Sequence, residues 1–169
     1  MHSVIIWSLL SSSGTSLYAP YQGSPLSGEQ ERRIFVAIEQ RQGLVCKQSL
    51  SEDEIAAIRA LALRCEQAEQ LHMRIDWTML RHRTGDQTND FLYYSNDRLI
   101  GYLAVDDRGG AENEITGMVD PEQRRRGIFS LLLDAAFEEC RKRDVLYMIL
   151  ICEHSSLSGQ AFLRARDAT

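Results

Sequence analysis

A short apolar strand that leads through a basic, glycine-containing turn into an amphipathic helix constrains this chain more than any other feature. The segment reads Val119-Asp120-Pro121-Glu122-Gln123-Arg124-Arg125-Arg126-Gly127-Ile128-Phe129. Such a connection points the unpaired N–H groups of the first helical turn, together with the positive end of the helix dipole, at whatever lies in front of them. The segment therefore predicts a binding site for a phosphate or pyrophosphate group.

The elements around this turn predict a pair of parallel strands. Residues 114–119 form the strand before the turn, residues 130–143 continue the helix, and residues 145–152 form a nearly all-apolar strand. A strand–helix–strand unit within one sheet is nearly always a right-handed crossover with parallel strands. An apolar strand of this kind is expected to be buried on both faces.

The rest of the pattern predicts helices and a hairpin. A capping box at residues 51–54 starts a helix to about residue 70, a shorter helix covers residues 75–83, and residues 44–46 are a candidate strand. The hairpin consists of residues 91–94 and 99–105, and Ser155 or Ser156 caps a last helix. The fold class predicted is α/β (α+β), a mixed, mostly antiparallel central sheet with helices on both faces and a central parallel strand pair.

The first 28 residues are predicted to be a disordered or loosely packed tail. The apolar run at residues 4–10 has no Lys or Arg before it, which argues against a secretory signal, and no segment is long enough to span a membrane. A capping box at residues 27–30 predicts a further helix, and residues 29–169 are expected to form a single domain.

Charge and cysteine spacing exclude several functional classes. The net charge of −5 over 169 residues argues against a nucleic-acid-binding protein, because the chain as a whole would repel a polyanion. Any site for an anion must therefore be local. The four cysteines are scattered without a C-x-x-C pair, so no metal site is expected. Scattered thiols are typical of a reducing compartment, which predicts a cytoplasmic protein.

The order of these elements and the turn together resemble the GNAT superfamily of acyl-CoA-dependent N-acyltransferases. The family's turn reads Gln/Arg-x-x-Gly-x-Gly/Ala, and residues 124–129 read Arg-Arg-Arg-Gly-Ile-Phe, with Phe129 in place of the final small residue. The resemblance covers residues 49–165. It implies that acetyl-CoA is the cosubstrate, that the pyrophosphate lies on the turn, and that the pantetheine arm lies along the end of the preceding strand. The corresponding residues are Gly117, Met118, Val119, Arg124, Arg125, Arg126, Gly127, Ile128, Phe129 and Ser130.

Candidate catalytic residues follow less directly from the pattern. Glu114, on the strand that enters the turn, could act as a general base toward the attacking amine, or it could be an exposed strand carboxylate. The family's usual tyrosine proton donor corresponds to Phe162 and Leu163, which cannot donate a proton. Ser155, Ser156 or Ser158, or a water molecule, is left for that role, with Ser156 preferred. We expect the Phe129 ring to point into the core, because it shares a helical face with Leu132 and Leu133.

The resemblance also implies a two-strand hairpin after the last helix, which the sequence does not contain. The domain is therefore expected to be truncated at its C-terminus, leaving the strand at residues 145–152 as an exposed apolar edge. A homodimer through this edge is one way of covering it.

These observations predict an N-acetyltransferase in which a primary amine of a small molecule or peptide attacks the thioester directly. Two alternatives remain open. One is a non-catalytic acyl-CoA-binding or regulatory module, and the other is an interaction fragment whose sheet a partner completes.

Overall fold

The molecule is built around a six-stranded sheet in the order β1-β6-β5-β4-β3-β2. The structure, a computed structural model, describes residues 40–107 and 112–166 and the backbone of residues 2–8. The strands are β1 (His2–Ser8), β2 (Gly43–Lys47), β3 (Asp90–Ser95), β4 (Arg98–Asp107), β5 (Glu112–Val119) and β6 (Tyr147–Glu153). The helices are α1 (Glu52–Glu69), α2 (Trp77–Arg81), α3 (Ile128–Arg141) and α4 (Leu157–Ala165).

The predicted capping box starts helix α1. The Ser51 hydroxyl accepts a hydrogen bond from the Glu54 N–H at 3.2 Å, and the Glu54 carboxylate accepts one from the Ser51 N–H at 2.8 Å. Two of the otherwise unpaired groups at the helix start are thereby satisfied. The short helix α2 is capped by the Asp76 carboxylate, which accepts hydrogen bonds from the Thr78 and Met79 N–H groups, and it ends at Arg81, two residues before the predicted end.

Apolar side chains form one core on each face of the sheet. Helix α3 covers the first face with buried residues that include Leu132, Leu133 and Ala136. Helices α1 and α2 cover the other face, where Ile58 and Leu80 pack against strand residues. Strand β4 is buried on both faces over most of its length because it lies between these layers. The mixed sheet with helices on both faces is confirmed.

Strands β5 and β6 are parallel, as predicted, but they pair over only half their length. The ladder joins Glu112 to Tyr147 and continues to its last pair, Ile115 with Leu150. Strand β5 runs on to Val119 while remaining paired with β4. The two parallel strands therefore diverge beyond Ile115, and a cleft opens in the sheet between residues 116–119 and 151–153.

The first strand departs from the tail expected for residues 1–28 at residues 2–8, and the rest of that segment lies outside the described residues. His2–Ser8 pairs antiparallel with β6 along its whole length, from His2 opposite Glu153 to Ser8 opposite Tyr147. The apolar run thus finds its hydrogen-bond partners in the outer edge of β6, far along the chain. That edge was expected to be exposed, so the reason for a homodimer through it no longer holds. The predicted helix that begins at residues 27–30 lies outside the described residues.

Within the described residues, no helix is long and apolar enough to span a membrane.

Candidate functional site

The turn before α3 adopts a conformation that its sequence favours. Pro121 begins a single turn of 3-10 helix, which the Asp120 carboxylate caps by accepting a hydrogen bond from the Glu122 N–H at 3.2 Å. Two residues then have left-handed backbone conformations, Arg125 with φ of 63° and Gly127 with φ of 78°. Only glycine adopts such a conformation at little cost, so Gly127 allows the chain to reverse directly into the helix.

The N-terminus of α3 is open to a ligand. Gly127 is the N-cap and has no side chain with which to cap the helix. The first intrahelical hydrogen bond runs from the Leu131 N–H to the Gly127 carbonyl at 3.0 Å. The N–H groups of Ile128, Phe129 and Ser130 precede it and have no acceptor within the helix. These donors and the helix dipole favour an anion at this position.

Asp120 fixes the turn to the body of the domain. Its side chain is 2% exposed and accepts hydrogen bonds from Arg64 Nε at 2.8 Å and Arg98 Nη2 at 2.9 Å. Arg64 also donates to the Leu99 carbonyl at 3.0 Å. Helix α1 and strand β4 are thereby both tied to the residue that directly follows β5.

A cavity of about 920 Å³ joins the turn to the cleft between β5 and β6. It extends from the N-terminus of α3, between the diverging strands, to the face of the sheet that α1 covers. Every predicted site residue except Arg126 lines it. These lining residues are Glu114, Gly117, Met118, Val119, Arg124, Arg125, Gly127, Ile128, Phe129, Ser130 and Ser156.

The Phe129 ring lies against strand β5 and not deep in the core. A Cβ atom at Gly117 would come within 2.7 Å of Phe129 Cε2, so only glycine at this position allows the ring to lie there. The ring also meets Phe162 of α4 edge to face, with ring centroids 4.8 Å apart. Phe129 is partly buried and packs against the core beneath α3, as expected, and it also forms a wall of the cavity.

Glu69, at the end of α1, connects the two sides of the cavity. Arg124 Nη1 donates to Glu69 Oε1 at 2.7 Å, and the Ser156 hydroxyl donates to Glu69 Oε2 at 2.9 Å. The Ser158 N–H also donates to Oε1, at 3.3 Å. One carboxylate thus holds both the turn before α3 and the start of α4, for which Ser156 is the N-cap.

The Glu69 carboxylate is ionised at neutral pH. Burial raises its pKa, but hydrogen bonds from Ser158 and Ser156 and the positive charge of Arg124 outweigh burial and place the pKa below its ordinary value. Sequence reasoning missed this residue. The available signal was that Glu69 continues the apolar stripe of α1, four residues after the buried Cys65.

Acidic residues from the sheet and the segment after α1 also line the cavity. Glu114 and Thr116 of β5 line it, together with Glu153 at the end of β6. The segment at residues 71–74 forms the opposite wall, held by a hydrogen bond from the Met73 N–H to Glu66 Oε1 at 2.8 Å. His72 and Arg74 in this segment are exposed.

The cysteines at or near the cavity do not have the character of nucleophiles. Cys152 lines the cavity but is 7% exposed, and burial, with the nearby charges of Glu69 and Glu153, raises the pKa of its thiol. Burial likewise raises the pKa of the Cys140 thiol, which lies in the core. Both are therefore neutral thiols at physiological pH. His154 is exposed.

Comparison with known proteins gives a family and a fold. The sequence profile of the family described as Acetyltransferase (GNAT) family matches residues 52–166. No curated protein sequence gives a significant match.

Three solved structures illustrate the likeness of fold. A GCN5-related N-acetyltransferase from Sphaerobacter thermophilus has 17% identity and a TM-score of 0.60; the match covers 76% of this chain and 44% of that chain. A GNAT-family acetyltransferase from Staphylococcus aureus Mu50 has 15% identity and a TM-score of 0.61, over 72% of this chain and 79% of its own. The PaiA N-acetyltransferase from Thermoplasma acidophilum, solved in complex with coenzyme A, has 14% identity and a TM-score of 0.59. The match covers 74% of this chain and 89% of that chain.

Proposed function

Because this chain belongs to the GNAT acetyltransferase family, we propose that it transfers an acyl group, acetyl in the simplest case, from acyl-CoA to a primary amine. The observation that carries the proposal is that one cavity contains both an uncapped helix N-terminus and the cleft where β5 and β6 diverge. The helix N-terminus suits the pyrophosphate of CoA, and the cleft suits the extended pantetheine arm with its amide groups. The coenzyme A in the PaiA structure gives further support.

In this proposal the cofactor is held mainly by the main chain. The N–H groups of residues 128–130 bind the pyrophosphate, with the exposed guanidinium groups of Arg125 and Arg126 nearby. The edge of β5 at residues 117–119 faces the cleft and offers peptide groups to the amides of the pantetheine arm. Phe129 and Phe162 provide an apolar wall beside that arm.

The acceptor amine enters from the opposite face of the sheet. Glu114 accepts a proton from the ammonium group, directly or through water, so that the neutral amine attacks the thioester carbonyl. An N–H of β5 near Val119 stabilises the oxyanion of the tetrahedral intermediate. Breaking of the C–S bond then releases CoA as a thiolate that takes up a proton.

The geometry favours water over Ser156 as the proton donor to the thiolate. The Ser156 hydroxyl already donates its proton to the ionised Glu69, and it would have to leave that carboxylate to serve the thiolate. Phe162 and Leu163 cannot donate a proton. Ser156 is then a residue that positions α4 beside the cleft, and its predicted role as proton donor becomes the second choice.

All four cysteines are free thiols, which supports the proposed cytoplasmic location.

The test combines binding with turnover. Acetyl-CoA should raise the melting temperature and protect the amides of residues 117–130 from hydrogen exchange, whereas an amine without acetyl-CoA should not protect them. Release of free thiol from acetyl-CoA is then measured across a panel of primary amines. Absence of both the thermal shift and the amide protection would refute the proposal. Binding without thiol release for any amine would instead support a non-catalytic acyl-CoA-binding module.

A further inference from the structure

The guanidinium of Arg124 is held by two protein groups at the end of β5. Its Nη1 donates to Glu69 Oε1 at 2.7 Å, and its Nε donates to the carbonyl oxygen of Val119 at 3.2 Å. The Arg124 and Glu69 side chains are 24% and 15% exposed, so solvent screens this pair less than an ion pair on the open surface. Arg124 therefore differs from Arg125 and Arg126, whose side chains are exposed on the same turn.

The Val119 carbonyl points into the cleft between β5 and β6. The N–H of Asp120, which belongs to the same peptide group, donates to the Ile100 carbonyl of β4 at 2.8 Å. Because the N–H and C=O of a trans peptide point in opposite directions, the Val119 carbonyl faces away from β4. Successive peptide groups of a strand alternate in direction, so the Val119 N–H also faces the cleft. This N–H is the proposed donor to the oxyanion.

A second donor reaches the same carbonyl from α1. Cys65 Sγ lies 3.5 Å from the Val119 oxygen, and Cys65 is 2% exposed. Burial raises the pKa of this thiol and outweighs the nearby positive charge of Arg124, so the thiol keeps its proton at neutral pH. A thiol is a weak donor, whereas a guanidinium is charged and donates in fixed directions. The contact with Arg124 is therefore the stronger of the two.

These contacts fix the direction of the peptide groups at the end of β5. The last pair of the β5–β6 ladder is Ile115 with Leu150, and Val119 lies four residues beyond it. At the Val119 carbonyl, Arg124 takes the place of a neighbouring strand. An oxyanion donor contributes fully only when its N–H is aimed at the position of the developing charge. A small change of direction at Val119 would therefore slow the reaction without altering how the pyrophosphate binds.

We propose that Arg124 is a positioning residue for acyl transfer, which holds the Val119 carbonyl so that the adjoining N–H faces the thioester, and that it does not bind the pyrophosphate. This inference rests on the proposed function. The family motif places Arg124 among the cofactor-binding residues, but its guanidinium would have to leave both Glu69 and Val119 to reach a phosphate. The two roles predict different effects on kcat and on the affinity for CoA.

The test compares Arg124→Met with the wild-type protein. Methionine keeps much of the length of the side chain but removes the charge and the donors. With the best amine of the panel, kcat for thiol release should fall by about 10- to 100-fold, because a misdirected oxyanion donor loses much of its effect. The dissociation constant for CoA, measured by calorimetry, should stay within about twofold of the wild-type value. Arg141→Met, at an exposed arginine paired with Glu138 near the end of α3, is the matched control and should change neither quantity.

Arg124→Lys separates charge from direction. Lysine keeps the positive charge but lacks the rigid fork that reaches two acceptors at once. Its kcat should therefore stay at least about threefold below the wild-type value while its affinity for CoA is unchanged. If Arg124→Met does not fold, the same comparison is made with Arg124→Lys alone, and wild-type kcat in that variant would refute the inference.

The infrared band of the thioester carbonyl gives a readout that needs no turnover. In acetyl-CoA isotope-labelled at its carbonyl carbon, a hydrogen bond from the Val119 N–H lowers the stretching frequency of the bound thioester. Arg124→Met should bind acetyl-CoA with a smaller lowering than the wild-type protein, whereas Arg141→Met should match the wild-type frequency. A variant that had only lost stability would keep the wild-type frequency when assayed below its melting temperature.

Two results would overturn the inference. The first is a loss of CoA affinity in Arg124→Met that Arg124→Lys restores, which would assign Arg124 to the pyrophosphate. The second is wild-type kcat in Arg124→Met, or, if acetyl-CoA binds but no amine reacts, a wild-type carbonyl frequency. Either result leaves the proposed function standing. A wild-type protein that does not bind acetyl-CoA would instead refute the proposed function and this inference together.

Discussion

The two ends of the cavity are built in different ways. The proposed cofactor end is one continuous stretch, residues 117–130, in which main-chain N–H groups and a glycine are exposed to the cavity. The proposed acceptor end is assembled from three separate segments, residues 71–74, 114–116 and 151–153, and its polar groups are side chains, among them the carboxylates of Glu114 and Glu153. Substitutions at the cofactor end should therefore act through backbone conformation, and those at the acceptor end through charge.

The largest expected effect comes from the acceptor end. Glu114→Gln removes the proposed general base and should lower kcat by about 10²–10⁴-fold, with little change in the dissociation constant for acetyl-CoA. Thiol release at saturating substrates, followed against pH, measures the effect. Glu112→Gln is the control, since Glu112 lies on the same strand but is exposed and does not line the cavity. Similar kcat values for the two variants would exclude Glu114 as the base.

At the cofactor end the corresponding change is Gly127→Val. A β-branched residue is strained at φ of 78°, although no atom lies within 4 Å of the added Cβ. We expect acetyl-CoA to bind about tenfold more weakly, as measured by calorimetry.

Gly85 provides the matched control for Gly127. It has φ of 80°, is equally open, and does not line the cavity. Gly85→Val should lower the free energy of unfolding to a similar extent but leave acetyl-CoA affinity near the wild-type value. If both variants bound acetyl-CoA equally, backbone conformation at Gly127 would have no part in binding.

Much of the cofactor end could be predicted from sequence because it is local. The strand, the turn and the helix start are adjacent in the chain, so their signals reinforce one another. Glu69 and β1 were missed for the opposite reason. The partners of Glu69 lie far along the chain, and a polar residue on an apolar stripe does not indicate which residues it pairs with. Strand β1 needed the register of β6, which no local pattern encodes.

Glu69 links the two sides of the cleft, and its contribution to stability should depend on pH. Its folded pKa is lowered, so the stabilisation is complete above the unfolded value of 4.5 and is lost as pH falls through the folded pKa. We expect the wild-type protein to exceed Glu69→Gln in free energy of unfolding by about 1–2 kcal/mol at pH 7.

Urea unfolding at a series of pH values tests this expectation. The difference between the wild-type protein and Glu69→Gln should shrink below pH 4.5. Glu138→Gln, which disrupts only an exposed ion pair, should show little difference at any pH. A wild-type advantage over Glu69→Gln that is constant with pH would mean that the charge of Glu69 does not stabilise the fold.

The smallest effect is expected for the double variant Arg125→Ala with Arg126→Ala. Both side chains are exposed, and the main chain is proposed to hold the pyrophosphate. Acetyl-CoA affinity should fall by less than about threefold at physiological ionic strength, and somewhat more at low salt, because exposed charges are screened. A larger loss of acetyl-CoA affinity that persisted at high salt would mean that side chains, and not only the main chain, hold the cofactor.

The pairing of β1 with β6 has a consequence for how the chain folds as it is synthesised. Residues 2–8 leave the ribosome well before their hydrogen-bond partners, residues 147–153. The apolar strand β1 therefore stays unpaired with β6 until those partners have been made. Long-range pairing of this kind slows folding, and an unpaired apolar strand is open to wrong partners in the meantime. The strand that covers the outer edge of β6 thus cannot take its place until residue 153 has been synthesised.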